Sequence, residues 1–175
     1  MSRRRMMMQM LAEADNGIEI PDEYKRSFSV YNQRATWLEN IVRLEHYSGG
    51  YAGPAQGYLQ LIGRENKLGQ NTSAAFSANS TTLDFLDRTK CYRLVLEVGK
   101  VNNNTATDST TDNLTVAIGT RENQYSQTLN IKDIVVGTKI EIEMTAATGF
   151  SCAVFGSTVG SAIWSFDFKY SLEEV

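Results

Sequence analysis

The chain has 175 residues, 42% of them apolar and 21% charged, with 2 prolines, which describes one ordinary globular domain with something short attached. No run approaches the roughly 18 consecutive apolar residues of a membrane-spanning helix, and 1 histidine with 2 cysteines cannot build a zinc finger or an iron–sulfur site within one chain. The net charge of −3 is uneven: Arg3, Arg4 and Arg5 stand in a segment without acids, and without them 14 basic side chains face 20 acidic ones. A mildly acidic body offers no clustered Lys and Arg for phosphate, so nucleic acid is not an expected partner of the main domain.

Residues 3–14 hold no Gly, Pro or β-branched residue, and Asp15-Asn16-Gly17 supplies a stop signal, which predicts one short helix. Such a helix is marginal alone in water. Met6, Met7, Met8, Met10 and Leu11 surround more than one face, so the arm needs a groove to bury against. Flexible thioethers suit an irregular groove, and Arg3, Arg4 and Arg5 can pair with acids at its rim. These eight residues are the expected partner-binding anchor. A basic, Met-rich helix resting on a membrane surface is a competing reading. As a secretion signal the segment is poor, because the apolar run Met6–Leu11 is short and interrupted by Gln9, against an h-region of about 7–15 residues. No secretion signal is therefore expected, and the Asn-x-Ser/Thr sequons at Asn71, Asn79, Asn103 and Asn113 read as Asn- and Thr-rich loops.

Residues 18–35 read as an extended linker with Pro21 as a breaker, and the domain proper is expected over 36–175. Residues 36–47 fit either a helical stripe or a strand, and strand is preferred because the chain beyond residue 57 reads as successive strands. The segment ends at the Gly-rich run 48–54. Short strands are then predicted at 58–62, 81–86, 92–98, 114–120, 125–131, 139–145, 150–155 and 163–171. The alternation is clearest in Tyr92, Leu94, Leu96 and Val98, and again in Ile140, Ile142 and Met144. Trp164, Phe166, Phe168 and Tyr170 share one face of the last strand, which is either core or an oligomer interface. The expected fold is mainly β, an antiparallel β-sandwich of jelly-roll type with a short N-terminal helical arm. Cys91 and Cys152 read as two reduced thiols, with a disulfide available only to neighbouring strands.

Chemistry-bearing patterns are sparse. Gly149-Phe150-Ser151-Cys152-Ala153 faintly imitates a nucleophile elbow but lies between strands instead of entering a helix. His46 is the sole imidazole and is expected at the surface or a cap. Glu39 with Glu45, or Glu141 with Glu143, matches the carboxylate spacing of a glycosidase, yet 20 acids make such pairs common. No catalytic residue, metal or cofactor is assigned, and enzymatic activity is not expected. The Asn- and Asp-rich stretch 102–113, with Asp108 and Asp112, is an exposed loop for which calcium is a weaker reading. Tyr47, Tyr51, Gln56 and Tyr58 interleave aromatic faces with an amide, the combination that stacks on sugar rings and bonds their hydroxyls, and they are the glycan-binding candidates.

The opening Met1-Ser2-Arg3-Arg4-Arg5-Met6-Met7-Met8, followed by Pro21-Asp22-Glu23-Tyr24, resembles a group of uncharacterised phage and prophage proteins of gut bacteria, in which an Arg/Met-rich start precedes a lectin-like β-sandwich. The resemblance implies a virion accessory protein, such as a head-fibre, decoration or tail-associated component. Its arm would dock on other virion proteins and its sandwich would face outward, where a bacterial surface glycan is the candidate ligand. A homo-oligomer is expected, a trimer above all, since that symmetry gives the aromatic face of the last strand a place to be buried.

Overall fold

The computed structural model describes residues 17–30, 32–47, 58–63, 68–69, 83, 85–87, 89–106, 112–119, 124–143, 152–158 and 162–175. The helix expected over 3–14, with its anchor residues, lies outside them. Eleven strands follow one another: β1 (Phe28–Val30), β2 (Gln33–Trp37), β3 (Ile41–His46), β4 (Tyr58–Ile62), β5 (Leu68–Gly69), β6 (Tyr92–Asn104), β7 (Asn113–Gly119), β8 (Gln124–Asn130), β9 (Lys139–Glu143), β10 (Cys152–Thr158) and β11 (Trp164–Glu174). They form a six-stranded sheet in the order β1-β2-β3-β11-β6-β9 and a five-stranded sheet in the order β5-β4-β10-β7-β8.

Every ladder between these strands is antiparallel. From β3 onward, setting aside the two-residue β5, the first strand pairs with the last, β3 with β11. The second pairs with the one before last, β4 with β10. The third and sixth pair as β6 with β9, and the innermost two as β7 with β8. A long hairpin rolled on itself gives this order, which is the jelly roll. One hydrophobic core spans both sheets, with Val42, Leu44, Leu94, Leu96 and Phe166 from one side and Leu61, Leu114, Val116 and Ile118 from the other.

Strand formation follows the alternation of side chains. In β9 buried and exposed positions alternate without a break, and in β3 and in β6 from Tyr92 to Val98 buried positions alternate with half-buried ones. In β11 the rings of Trp164, Phe166 and Phe168 are fully buried within a single chain. Trp164 stacks on Phe166 at 5.3 Å, and Phe166 meets Phe168 edge-on at 6.3 Å. Of the two expectations for this face, the structure takes the core. Tyr170, nearer the sheet end, packs edge-on against Trp37 at 4.9 Å.

Three expectations change. The segment 36–47 is not one strand: it is the end of β2 and all of β3, joined by a turn at residues 38–40 in which the Leu38 N–H donates to the Ile41 carbonyl at 2.9 Å. The expected strand 81–86 is a turn at its described residues, closed by the Leu86 N–H on the Leu83 carbonyl at 3.1 Å. Leu83 and Leu86 are both buried, so their apolar character reflects a loop packed under the sandwich. Residues 18–35, read as a linker, are part of the domain. Ile20 is 3% and Tyr24 1% exposed, the Ile18 N–H bonds the Leu172 carbonyl at 2.6 Å, and β1 and β2 extend the sheet. Pro21 starts the short 3-10 turn Asp22–Tyr24, which sets the Tyr24 ring 4.8 Å from Phe85. Cys91 precedes β6 in one sheet and Cys152 opens β10 in the other, so their strands are not neighbours.

Tyr24 separates a linker from a structural segment. Truncating a buried aromatic costs about 3–5 kcal/mol, so Tyr24→Ala should lower the urea unfolding midpoint sharply. A change within about 0.5 kcal/mol, as at an ordinary surface position, would return residues 18–35 to a linker.

Candidate functional site

On the outer face of the six-stranded sheet, β2, β3, β11 and β6 present polar side chains opposite the positions that fill the core. A cleft of about 380 Å³ opens there, lined by Arg34, Arg43, Glu45, Tyr47, Asn102 and Asn103, with residues 163–165 as one wall. Its residues come from strand neighbours: Arg34 lies opposite Glu45, Arg43 opposite Asp167, and Asn103 opposite Ser165.

The cleft floor is a fixed ion-pair network. Arg43 grips Asp167 with two nitrogens, Nε to Oδ1 at 2.7 Å and Nη2 to Oδ2 at 3.1 Å. The Asn102 carboxamide donates to Asp167 Oδ1 at 2.7 Å and to Ser165 Oγ at 3.3 Å. Asp167 is only 6% exposed, yet its carboxyl is held below the ordinary carboxylate value, chiefly by the Arg43 hydrogen bond and with help from Asn102, against the opposing effect of burial. The same contact raises Arg43 above its usual value.

At the cleft rim, Arg34 Nε donates to Glu45 Oε1 at 2.9 Å, and its guanidinium carbon sits 4.6 Å from the centre of the Tyr47 ring. Tyr47 is held three ways. The guanidinium covers one ring face, Ser29 Oγ donates to the phenol oxygen at 3.1 Å, and the Tyr47 N–H donates to the Asn32 carbonyl at 2.9 Å. Asn32 turns the chain between β1 and β2 at a φ of 67°, a left-handed conformation that asparagine tolerates.

Of the glycan-binding candidates, Tyr47 lines this cleft. Tyr58 belongs to β4 in the opposite sheet, so the fold does not place it beside Tyr47 on one sheet face. Tyr51 and Gln56 lie outside the described residues, as do Asp108 and the nucleophile-elbow imitation apart from Cys152 and Ala153. Of the acid pairs, Glu39 sits in the turn before β3 and Glu45 near its far end, while Glu141 and Glu143 share the exposed face of β9, where Arg93 engages Glu143. Among the described residues no group of three or more His, Cys, Asp and Glu side chains is placed to hold a metal ion. Asn104 is spent on the Ile131 carbonyl and the Ala106 N–H.

His46 is fully buried, not at the surface. Its Nδ1 lies 2.6 Å from the Ala162 carbonyl, which can only accept, so Nδ1 carries the proton. Arg34 and Arg43 are not candidates of the sequence reading, and Asn102 and Asn103, read there as part of an exposed loop, belong to β6. The available signal was the outward alternation Arg43-Glu45 beside the inward Val42-Leu44-His46. No protein-family model matches the chain, and no curated protein matches it.

Asp167 should carry a share of acid stability. Its carboxyl is ordinarily near 3.8 and is lowered in the fold, so its contribution is complete above that value and is lost as pH falls through the lower folded value. Asp167→Asn leaves Arg43 without its carboxylate and should cost about 2 kcal/mol at neutral pH. Urea melts from pH 7 to pH 2 check both, since the variant's deficit should shrink below about pH 4.

Proposed function

We propose that this chain is a non-enzymatic attachment or accessory component of a phage particle, anchored by its basic, Met-rich arm and presenting the jelly roll outward. The observation that carries the reading is the position of the two ends of β11. The chain leaves the arm at Gly17, which pairs with Glu173 near the C-terminal end of β11. The polar cleft lies at the other end, around Trp164 and Ser165. Nine residue steps of extended strand lead from Trp164 to Glu173, a span of roughly 30 Å at the usual rise. An anchor and a binding surface at opposite poles of one rigid strand suit a displayed module, and the resemblance of the first 24 residues to phage accessory proteins points the same way. Among the described residues no helix is long and apolar enough to cross a membrane.

Self-association, with a trimer as the favoured state, remains part of the proposal. Its contact is not the face of Trp164, Phe166 and Phe168, which one chain buries by itself. A second reading, a carbohydrate-binding module that works without a particle, is favoured by Tyr47 in the cleft.

Deletion of residues 1–16 separates the two. Gly17 is retained because it pairs with Glu173. The truncated protein should fold with an unchanged melting curve and fail to enter particles when supplied in place of the full chain. Normal incorporation would overturn the anchored reading.

A further inference from the structure

The cleft at the distal pole has a definite chemical character. Each cation that lines it already faces a carboxylate, Arg34 with Glu45 and Arg43 with Asp167. An anionic ligand would meet no uncompensated positive charge, and a metal ion would meet acids already engaged by guanidinium groups. What the site leaves available is hydrogen-bonding capacity without net charge, around an aromatic ring.

The spare groups can be counted. Only Nε of Arg34 is engaged by Glu45, so among the described residues its two terminal nitrogens remain donors, and Glu45 Oε2 remains an acceptor. The Asn103 carboxamide lines the cleft and makes no hydrogen bond among the described residues, which leaves both a donor and an acceptor. Tyr47 is 39% exposed, and with the guanidinium over one ring face, a stacked ligand would use the opposite face. An immobilised ring beside alternating donors and acceptors matches a sugar, whose apolar face stacks while each hydroxyl both donates and accepts. The volume, about 380 Å³, is at the low end for small-molecule sites of roughly 300–1,000 Å³.

We propose that this cleft binds an uncharged saccharide of one or two rings, with Tyr47 as the stacking platform and Arg34, Glu45 and Asn103 as its hydrogen-bonding groups. The proposal rests on the reading of this pole as the displayed end, and names the ligand class that it displays. Arg43, Asp167 and Asn102 act as positioning residues, since their polar groups engage one another. Salt should affect binding little, because no net charge is neutralised.

Saturation-transfer NMR on the full-length protein tests the idea with glucose, galactose, mannose, N-acetylglucosamine and N-acetylgalactosamine, and with galacturonic acid as the anionic comparison. At least one neutral sugar should bind in the millimolar range or tighter, and galacturonic acid should bind at least roughly tenfold more weakly, a gap of about 1.4 kcal/mol. Asn103→Ala, at an exposed position, should keep the melting curve and weaken the neutral sugar several-fold; Tyr47→Ala should abolish detectable transfer, while Tyr47→Phe retains it. Three results would overturn the proposal: no neutral sugar bound, galacturonic acid bound as tightly as any neutral sugar, or affinity unchanged in both Asn103→Ala and Tyr47→Ala. The measurement needs no particle. Failure of sugar binding with normal arm dependence of incorporation removes the ligand and leaves the anchor, and the converse removes the anchor alone.

Discussion

Burial of the aromatic row on β11 is the constraint on which the rest of the structure depends. Trp164, Phe166 and Phe168 are withdrawn from water between the sheets, each burial worth about 1.5–3 kcal/mol by area. Because strand side chains alternate, fixing that row inward forces Ser165 and Asp167 outward. β11 pairs with β3 on one side and β6 on the other, so its register also sets which of their residues meet on the outer face. Arg43 and Asp167 are 124 residues apart in sequence and are brought together by that register alone. Two register shifts lie within the row, between Ser165 and Phe166 and between Asp167 and Phe168, where β11 faces β6. Such bulges turn side chains locally and let two consecutive residues be buried.

The open sides of the sandwich show how the same sheet stays a discrete unit. β9 ends the six-stranded sheet and β8 the five-stranded one. An exposed edge invites pairing with another chain. Here the Gln127 side chain of β8 accepts the Glu141 N–H of β9 at 2.9 Å, so one edge partly closes the other. Lys139, Glu141 and Glu143 place charge along the remainder, and Arg93 joins Glu143 to Glu173 across three strands. The opposite edges are short, three residues in β1 and two in β5.

Much of this fold was legible from the order of residues. The alternations of β6, β9 and β11 are long and regular, and each predicted strand from 92 onward has its counterpart. Elements without a local signal were not readable. The turn at Leu38-Glu39-Asn40 contains no Gly or Pro, so nothing divided β2 from β3. Leu83 and Leu86 imitate a strand because a loop packed under a sheet also needs apolar anchors. Ile20 and Tyr24 are too sparse for periodicity, and the contacts that hold their segment to the sandwich are tertiary, among them the Gly63 N–H donating to the Tyr24 carbonyl at 3.1 Å. Of the cleft, sequence reasoning found Tyr47 through its aromatic character. It missed Arg34 and Arg43 and read Asn102 and Asn103 as loop, because pairing across strands, not spacing along the chain, gives them their roles.

The central claim is geometric: one strand holds the arm exit and the cleft at opposite poles. The most direct test is a spin-label distance by pulsed electron resonance between Glu19→Cys and Asn103→Cys, in a chain carrying Cys91→Ser and Cys152→Ser. Both labelled positions are exposed, and their neighbours pair with Leu172 and Trp164 on β11. The fold predicts one narrow distribution centred at roughly 25 Å, the length of the intervening strand. A broad distribution, or a distance under roughly 15 Å where only four or so strand residues would separate the sites, would contradict the two-pole arrangement.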